Sequence, residues 1–177
     1  LVGFIDDKFK LNAGNKLTLQ IIPIFYLIFF ENMFLNTIGD YNTFNLNLST
    51  FAIPFTFLCV LMLINAFNYF DGIDGSLVFS SFSVLAILFY LTTDNYIKIY
   101  LIVISLTLLV FLFFNFSLFK LPKIFLGDSG SLTLGFIFSF TLIYFANREL
   151  VHPIILAWAI SIFVYEFISI NLSRIIN

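Results

Sequence analysis

Largely uncharged, apolar stretches recur at 17–35, 51–70, 76–92, 97–116, 130–146 and from 153 to near 174, separated by short polar connectors. A helix of about 20 apolar residues crosses the hydrocarbon of a bilayer with its backbone groups bonded internally. The expected fold is therefore an all-α integral membrane protein with about six complete transmembrane helices, leaving no room for a separate soluble domain. Charged residues make up 10% of the chain, against about 25% in soluble proteins, in agreement with this reading. The 27 Phe are spread through every apolar run, as expected of lipid-facing helices rather than of a stacking surface. A net charge of −2 gives no basic footprint for a nucleic-acid partner. Cys59, alone in its apolar run, can form no intramolecular disulfide and reads as packing. Leu1 to Ile5 read as the tail of a preceding helix, with none of the charged lead of a signal peptide, so a fragment is expected.

Six crossings fix which connectors share a side. Asp6 to Lys16, Tyr69 to Gly75, Ser117 to Ser129 and the tail after Leu172 fall together and hold five of the seven Asp. They also hold Lys8, Lys10, Lys16, Lys120, Lys123 and Arg174, whereas the other side has Lys98 and Arg148. This Lys/Arg bias predicts that the acidic face is cytoplasmic. The Asn-rich segment from Asn36 to Thr50 is expected to be a loop on the far side.

The acids sit in patterned stretches. Asn65, Asn68, Asp71 and Asp74 close the second run at three-residue steps. On a helix each such step drifts about 60° around the axis. Asn65, Asn68 and Asp71 can share a face, but Asp74 joins them only if the backbone changes course, which Gly72 and Gly75 permit. A polar turn between two membrane helices would use the same residues. Asp6 and Asp7 are neighbours, so one of the two can point squarely at a shared centre, as a general base with its partner orienting or balancing charge. A solvated helix end beside lysines reads equally. Asp128 lies between Gly127 and Gly130 just before a predicted helix, where backbone can approach an anion; a simple turn explains the glycines too. Glu166, inside the sixth run, reads as a partner of Arg174 or as a functional group.

Carboxylates crowded at a low-dielectric boundary are relieved by protonation, by cationic side chains or by a metal. Together with Lys16 and Lys123 they suit metal-assisted phosphoryl transfer. A cation-coupled transporter would use the same inventory, but with acids near the bilayer midplane rather than at helix ends.

Taken together, the segments resemble the polyprenyl-phosphate N-acetylhexosamine-1-phosphate transferases (glycosyltransferase family 4). Asp6-Asp7 followed by Lys16 and Gln20 matches the family's Asp-Asp, eight residues, Lys, three residues, Gln pattern. Asn65-Ala-Phe-Asn68-Tyr-Phe-Asp71-Gly-Ile-Asp74-Gly is similar to its DGIDG signature, and Phe125-Leu-Gly-Asp128-Ser-Gly-Ser131 to its FxGD[AST]GS signature. The second is closer to the branch that uses undecaprenyl phosphate and UDP-N-acetylglucosamine-type sugars than to the phospho-N-acetylmuramoyl-pentapeptide transferase of peptidoglycan synthesis, which is the alternative.

The resemblance implies transfer of a sugar-1-phosphate from a UDP-sugar to undecaprenyl phosphate at the cytoplasmic face of a bacterial inner membrane. UMP is released and a cell-envelope glycan, such as O-antigen, begins. It implies Mg²⁺, with Mn²⁺ as a substitute, on Asp128 and Asp74, and catalysis by Asp6, Asp7 and Lys16. Substrate-binding roles fall to Asn65, Asn68, Asp71, Lys123 and Phe125, the last stacking on uracil. A homodimer is compatible with the sequence. Ser76 replaces the usual Leu after DGIDG, Asn115 stands near an Asn that precedes the third signature, and Glu166 stands where relatives usually have Asp. Residues 1–177 are thus expected to be a single transmembrane catalytic-core fragment. It lacks the N-terminal helices and the His-rich loop that would follow Arg174, and it is expected to be inactive by itself.

Overall fold

A computed structural model describes residues 3, 6, 8, 12–41 and 44–176. Residues 3, 6 and 8 are helical. The helices that follow are α1 (Ala13–Phe29), α2 (Ala52–Phe70), α3 (Ser76–Leu91), α4 (Asn95–Asn115), α5 (Gly127–Asn147), α6 (Pro153–Ala159) and α7 (Ser161–Ile176). Between α1 and α2 lies a two-stranded antiparallel hairpin, β1 (Thr37–Tyr41) and β2 (Phe44–Asn47).

Among the described residues three helices are long and apolar enough to cross a membrane: Ser49–Phe70, which joins a short 3₁₀ turn to α2, then α4 and α5. The pair α6 and α7 makes a fourth if its 59° bend is one broken span. The remaining two runs form shorter helices, α1 with 17 residues and α3 with 16. At 1.5 Å per residue these reach about 25 Å, short of a hydrocarbon core of about 30 Å. Three or four of the six expected runs thus reach the length of a span among the described residues. Apolar runs read from sequence include residues that the backbone spends on turns and caps.

Two further expectations change. The Asn36 to Thr50 loop contains the hairpin, a small addition to a fold that is otherwise helical. Thr37, Ile38, Tyr41 and Phe44 favour extended backbone, Tyr41 and Phe44 pair with rings 5.2 Å apart, and Tyr41 also meets the edge of His152. The sixth run bends at Ile160, whose carbonyl accepts from Phe163 N and Val164 N. The bend brings Phe163, fully buried, onto Phe67 at 4.3 Å and the edge of Phe70 at 4.9 Å.

The core is α5 against α2. Over its most apolar stretch α5 is 56% buried, against 11% for α4, which marks α5 as the central helix and α4 as peripheral. Gly135 makes this contact possible: a Cβ there would lie 2.7 Å from the Ile64 Cα and 3.1 Å from the Phe67 Cβ. Gly135 is therefore a contact point within an unbroken helix.

The ends of the helices sort as the sequence parity predicts. Lys16 at the start of α1 reaches Asn68 and Asp128, Lys123 reaches Asp74, and Arg174 donates to the Tyr69 hydroxyl at 2.9 Å. At the other end Asn147 donates to the Phe34 carbonyl and the Thr56 hydroxyl accepts from Leu35 N. Glu166 is exposed, and Arg174 is turned to Tyr69, stacking on its ring.

A Gly135→Val substitution is expected to destabilise the protein by about 1–3 kcal/mol, because the added atoms meet backbone. Gly72→Ala, whose nearest neighbour would be Tyr69 O at 3.9 Å, is expected to be silent. Thermal melting of the two variants in detergent checks the contrast.

Candidate functional site

The site grows from the end of α2. The helix stops at Asp71, and Gly75, at φ +74°, turns the chain into α3. A side chain at Gly75 would be strained, and its Cβ would meet the Phe116 ring at 2.7 Å. Of the two glycines the sequence offers for the change of course, Gly75 makes the left-handed step. The chain from α4 to α5 is tied down by buried Asn115, whose Nδ2 donates to the Ile124 carbonyl at 3.1 Å. That bond presents Lys123 and Phe125 beside the second motif. Helix α5 begins at Gly127, which places Asp128 in its first turn, where the exposed N–H groups favour a carboxylate.

Asp6, Lys16, Asn68, Asp128 and Ser131 converge. Lys16 Nζ pairs with Asp6 Oδ2 at 2.8 Å and with Asp128 Oδ2, and lies 3.4 Å from Asn68 Oδ1. Asn68 spends both hydrogens of its Nδ2 group here, on Asp128 Oδ1 at 2.8 Å and on Ser131 Oγ at 2.9 Å. The Ser131 hydroxyl in turn donates to the Gly127 carbonyl at 2.9 Å. Asp6 is buried and Asp128 about a third exposed, so the cluster grades from the bundle interior to its surface.

A second group lies alongside. Lys123 Nζ bonds Asp74 Oδ2 at 2.5 Å and sits 4.9 Å over the ring of Phe125, which is 66% exposed. Asp71 stands between the groups. Burial, and then the negative charges of Asp128 and Asp74, push its carboxyl from 3.8 up to about 6. Three carboxylates from two motifs therefore feel one another.

Of the residues expected from sequence, Asp6, Lys16, Asn68 and Asp128 form the cluster, and Asp74, Lys123 and Phe125 form the flanking group. Asn65 is a turn deeper, its Nδ2 donating to Leu61 O at 2.8 Å and to Gln20 Oε1 at 3.0 Å. Asp7 lies outside the described residues. Sequence reasoning passed over Ser131, although it closes the third signature, and passed over Gln20 as more than a motif letter.

The donor set around Asp128 and Asp74 is oxygen, which suits a hard divalent ion. Among the described residues no three His, Cys, Asp or Glu side chains gather closely enough to form a cage. An ion held there would complete its shell from water and phosphate oxygens, the usual habit of Mg²⁺.

Two larger apolar spaces lie away from the cluster. One, of about 580 Å³, is lined by Met33, Asp94, Tyr100 and Phe140. The other, of about 530 Å³, runs between α2, α5 and the bent pair, past Cys59, Leu142, Ile160 and Val164.

The family model for glycosyl transferase family 4 matches residues 1–146. The chain belongs to glycosyl transferase family 4. Its family 4 relatives include the undecaprenyl-phosphate alpha-N-acetylglucosaminyl 1-phosphate transferases of Escherichia coli O157:H7 and Yersinia pestis. These are 25% and 26% identical over 181 residues, which cover 98% of this chain and 49% and 50% of theirs. The phospho-N-acetylmuramoyl-pentapeptide-transferase of Staphylococcus aureus strain JH9 is 32% identical over 169 residues, covering 85% of this chain and 51% of its own. The chain thus spans about half the length of the curated relatives it matches.

The Asp71 shift has a sign that can be measured. Between about pH 4 and 6 the folded protein holds a proton on Asp71 that the unfolded chain has released, so stability falls as pH rises through that window. Asp71→Asn is expected to raise the melting temperature at about pH 8, with the gain shrinking by about pH 5. Equal gains at both pH values would contradict the repulsion among the three acids.

Proposed function

We propose that the protein of which these residues are part transfers a sugar-1-phosphate, of the N-acetylglucosamine type, from a UDP-sugar to undecaprenyl phosphate at the cytoplasmic face of a bacterial inner membrane. The observation that carries this reading is the Lys16 ammonium shared between Asp6 and Asp128, with Asn68 bonded to both Lys16 and Asp128. Phosphoryl transfer needs little covalent help from a protein and depends on positioning and charge, which this cluster supplies.

In this reading an oxygen of the lipid phosphate attacks the sugar-bearing β-phosphorus, the bond to the α–β bridging oxygen breaks, and that oxygen leaves with UMP. A lipid diphosphate sugar remains in the membrane. Asp6, or its neighbour Asp7, takes up the proton of the lipid phosphate or orients it. Lys16 offsets charge on the reacting phosphates, and its contact with Asn68 fixes where it can do so. Phe125 offers an exposed ring face for the uracil once Lys123 moves aside, and Asn68 and Asp71 border the nucleotide. Mg²⁺, or Mn²⁺ in its place, would be held by Asp128 and Asp74 and would neutralise the diphosphate.

The 32% identity to a pentapeptide transferase supports a second reading with the same chemistry and a larger donor. A transporter is disfavoured because the acids sit at helix ends. Full-length protein in membranes, offered a panel of UDP-sugars, is expected to release UMP in a Mg²⁺-dependent way with UDP-N-acetylglucosamine. Lys16→Met and Asp128→Asn are each expected to lower the rate by about 10²-fold or more. Turnover with the muramoyl-pentapeptide donor alone would select the second reading, and no UMP release with any donor would overturn both.

A further inference from the structure

Gln20 is 3% exposed and lies one helical turn deeper than Lys16. Its amide can be oriented without ambiguity. Asn65 Nδ2 donates to the Leu61 carbonyl, which can only accept, and the same Nδ2 donates to Gln20 Oε1. Turning Gln20 over would set two NH₂ groups face to face. Gln20 Nε2 is therefore directed away from Asn65, and it has no hydrogen-bond partner among the described residues. Buried amide N–H groups are rarely left so.

Gln20 lines a cavity of about 160 Å³ with Gly3, Pro23, Ile64, Leu132, Thr133 and Phe136. Leu132 is one turn beyond Asp128 on α5, as Gln20 is one turn beyond Lys16 on α1. The cavity therefore lies directly beneath the Lys16–Asp128 pair, about 6 Å further along the helices. Among the described lining residues the side chains are apolar except for Gln20 and Thr133, and the Thr133 hydroxyl is committed to the Ser129 carbonyl at 2.6 Å. Thr133 is exposed and forms an outer rim. The space is large enough for water, but water needs several polar partners, and the described lining residues offer one uncommitted donor group, Gln20 Nε2. A short branched hydrocarbon that brings an oxygen to Gln20 fits better.

We propose that this cavity receives the phosphate-proximal end of an isoprenoid phosphate, with Gln20 Nε2 donating to an oxygen of its phosphate group. Gln20 then recognises the lipid acceptor and not the sugar nucleotide. The inference rests on the reaction proposed above, and it places the acceptor phosphate on the membrane side of Lys16.

The test uses full-length protein in detergent with undecaprenyl phosphate and UDP-N-acetylglucosamine. Gln20→Leu keeps the volume and removes the donor. It is expected to raise the KM for undecaprenyl phosphate about tenfold, as for one lost hydrogen bond to a charged group, and to leave the KM for the nucleotide sugar unchanged. The melting-temperature rise that undecaprenyl phosphate gives the wild type is expected to shrink in the variant, and inorganic phosphate alone is expected to give neither protein such a rise. Thr133→Phe, which obstructs the exposed rim without touching the amide pair, is expected to raise the same KM and serves if Gln20→Leu fails to fold. An active wild type whose acceptor KM and thermal shift are untouched by either substitution would overturn the inference and leave a cavity filled by water. A wild type inactive with every donor would instead overturn the proposed reaction.

Discussion

The Lys16 ammonium sits between carboxylates that reach it from separate segments, one of them 112 residues further along the chain. At a boundary of low dielectric an isolated charge is costly, and two acids without a cation would repel. Pairing converts that penalty into a tie between the start of α1, the N-terminal helical residues and the first turn of α5. Asn68 adds the end of α2 to the same knot, since its one amide meets Lys16, Asp128 and Ser131. The charge pattern is thus a structural joint as well as a candidate chemical centre.

The joint holds because the apolar part of the bundle fixes the register beneath it. Gly135 lets α5 lie against the backbone of α2, and Phe67 packs at once on Phe138 and Phe163. A polar rung, Gln20 with Asn65, lies between this apolar packing and the charged cluster. Charge at the rim, one amide pair beneath it and hydrocarbon below follow the fall in polarity from water into a bilayer. A substrate with a phosphate head and an isoprenoid tail has the same gradient.

The candidate site was largely legible in the sequence. Asp6, Lys16, Asn68 and Asp128 stand in motifs whose residue types have no packing reason to lie beside apolar runs, and parity placed them at one end. Helix ends were less legible. Hydropathy counts apolar residues whether or not they are helical, so the shortness of α1 and α3 and the bend at Ile160 did not show. The hairpin was missed for a related reason, because an Asn-rich composition outweighed the β-branched and aromatic residues Thr37, Ile38 and Tyr41. Asn65 sits on the expected helix, yet the Leu61 carbonyl and Gln20 hold its amide below the cluster.

Composition, the spacing of acids and the bias of Lys and Arg determined by themselves that the chain is a membrane-type helical bundle with the acids of its three motifs gathered at one end. These are consequences of local chemistry and of counting crossings. Tertiary structure alone decided which acid meets which base, that Lys16 serves Asp6 and Asp128 while Lys123 serves Asp74, and which way the Gln20 amide points. Those outcomes depend on distances between helices, and such distances are set by close packing at contacts like Gly135 with Ile64, far from the charged residues in sequence.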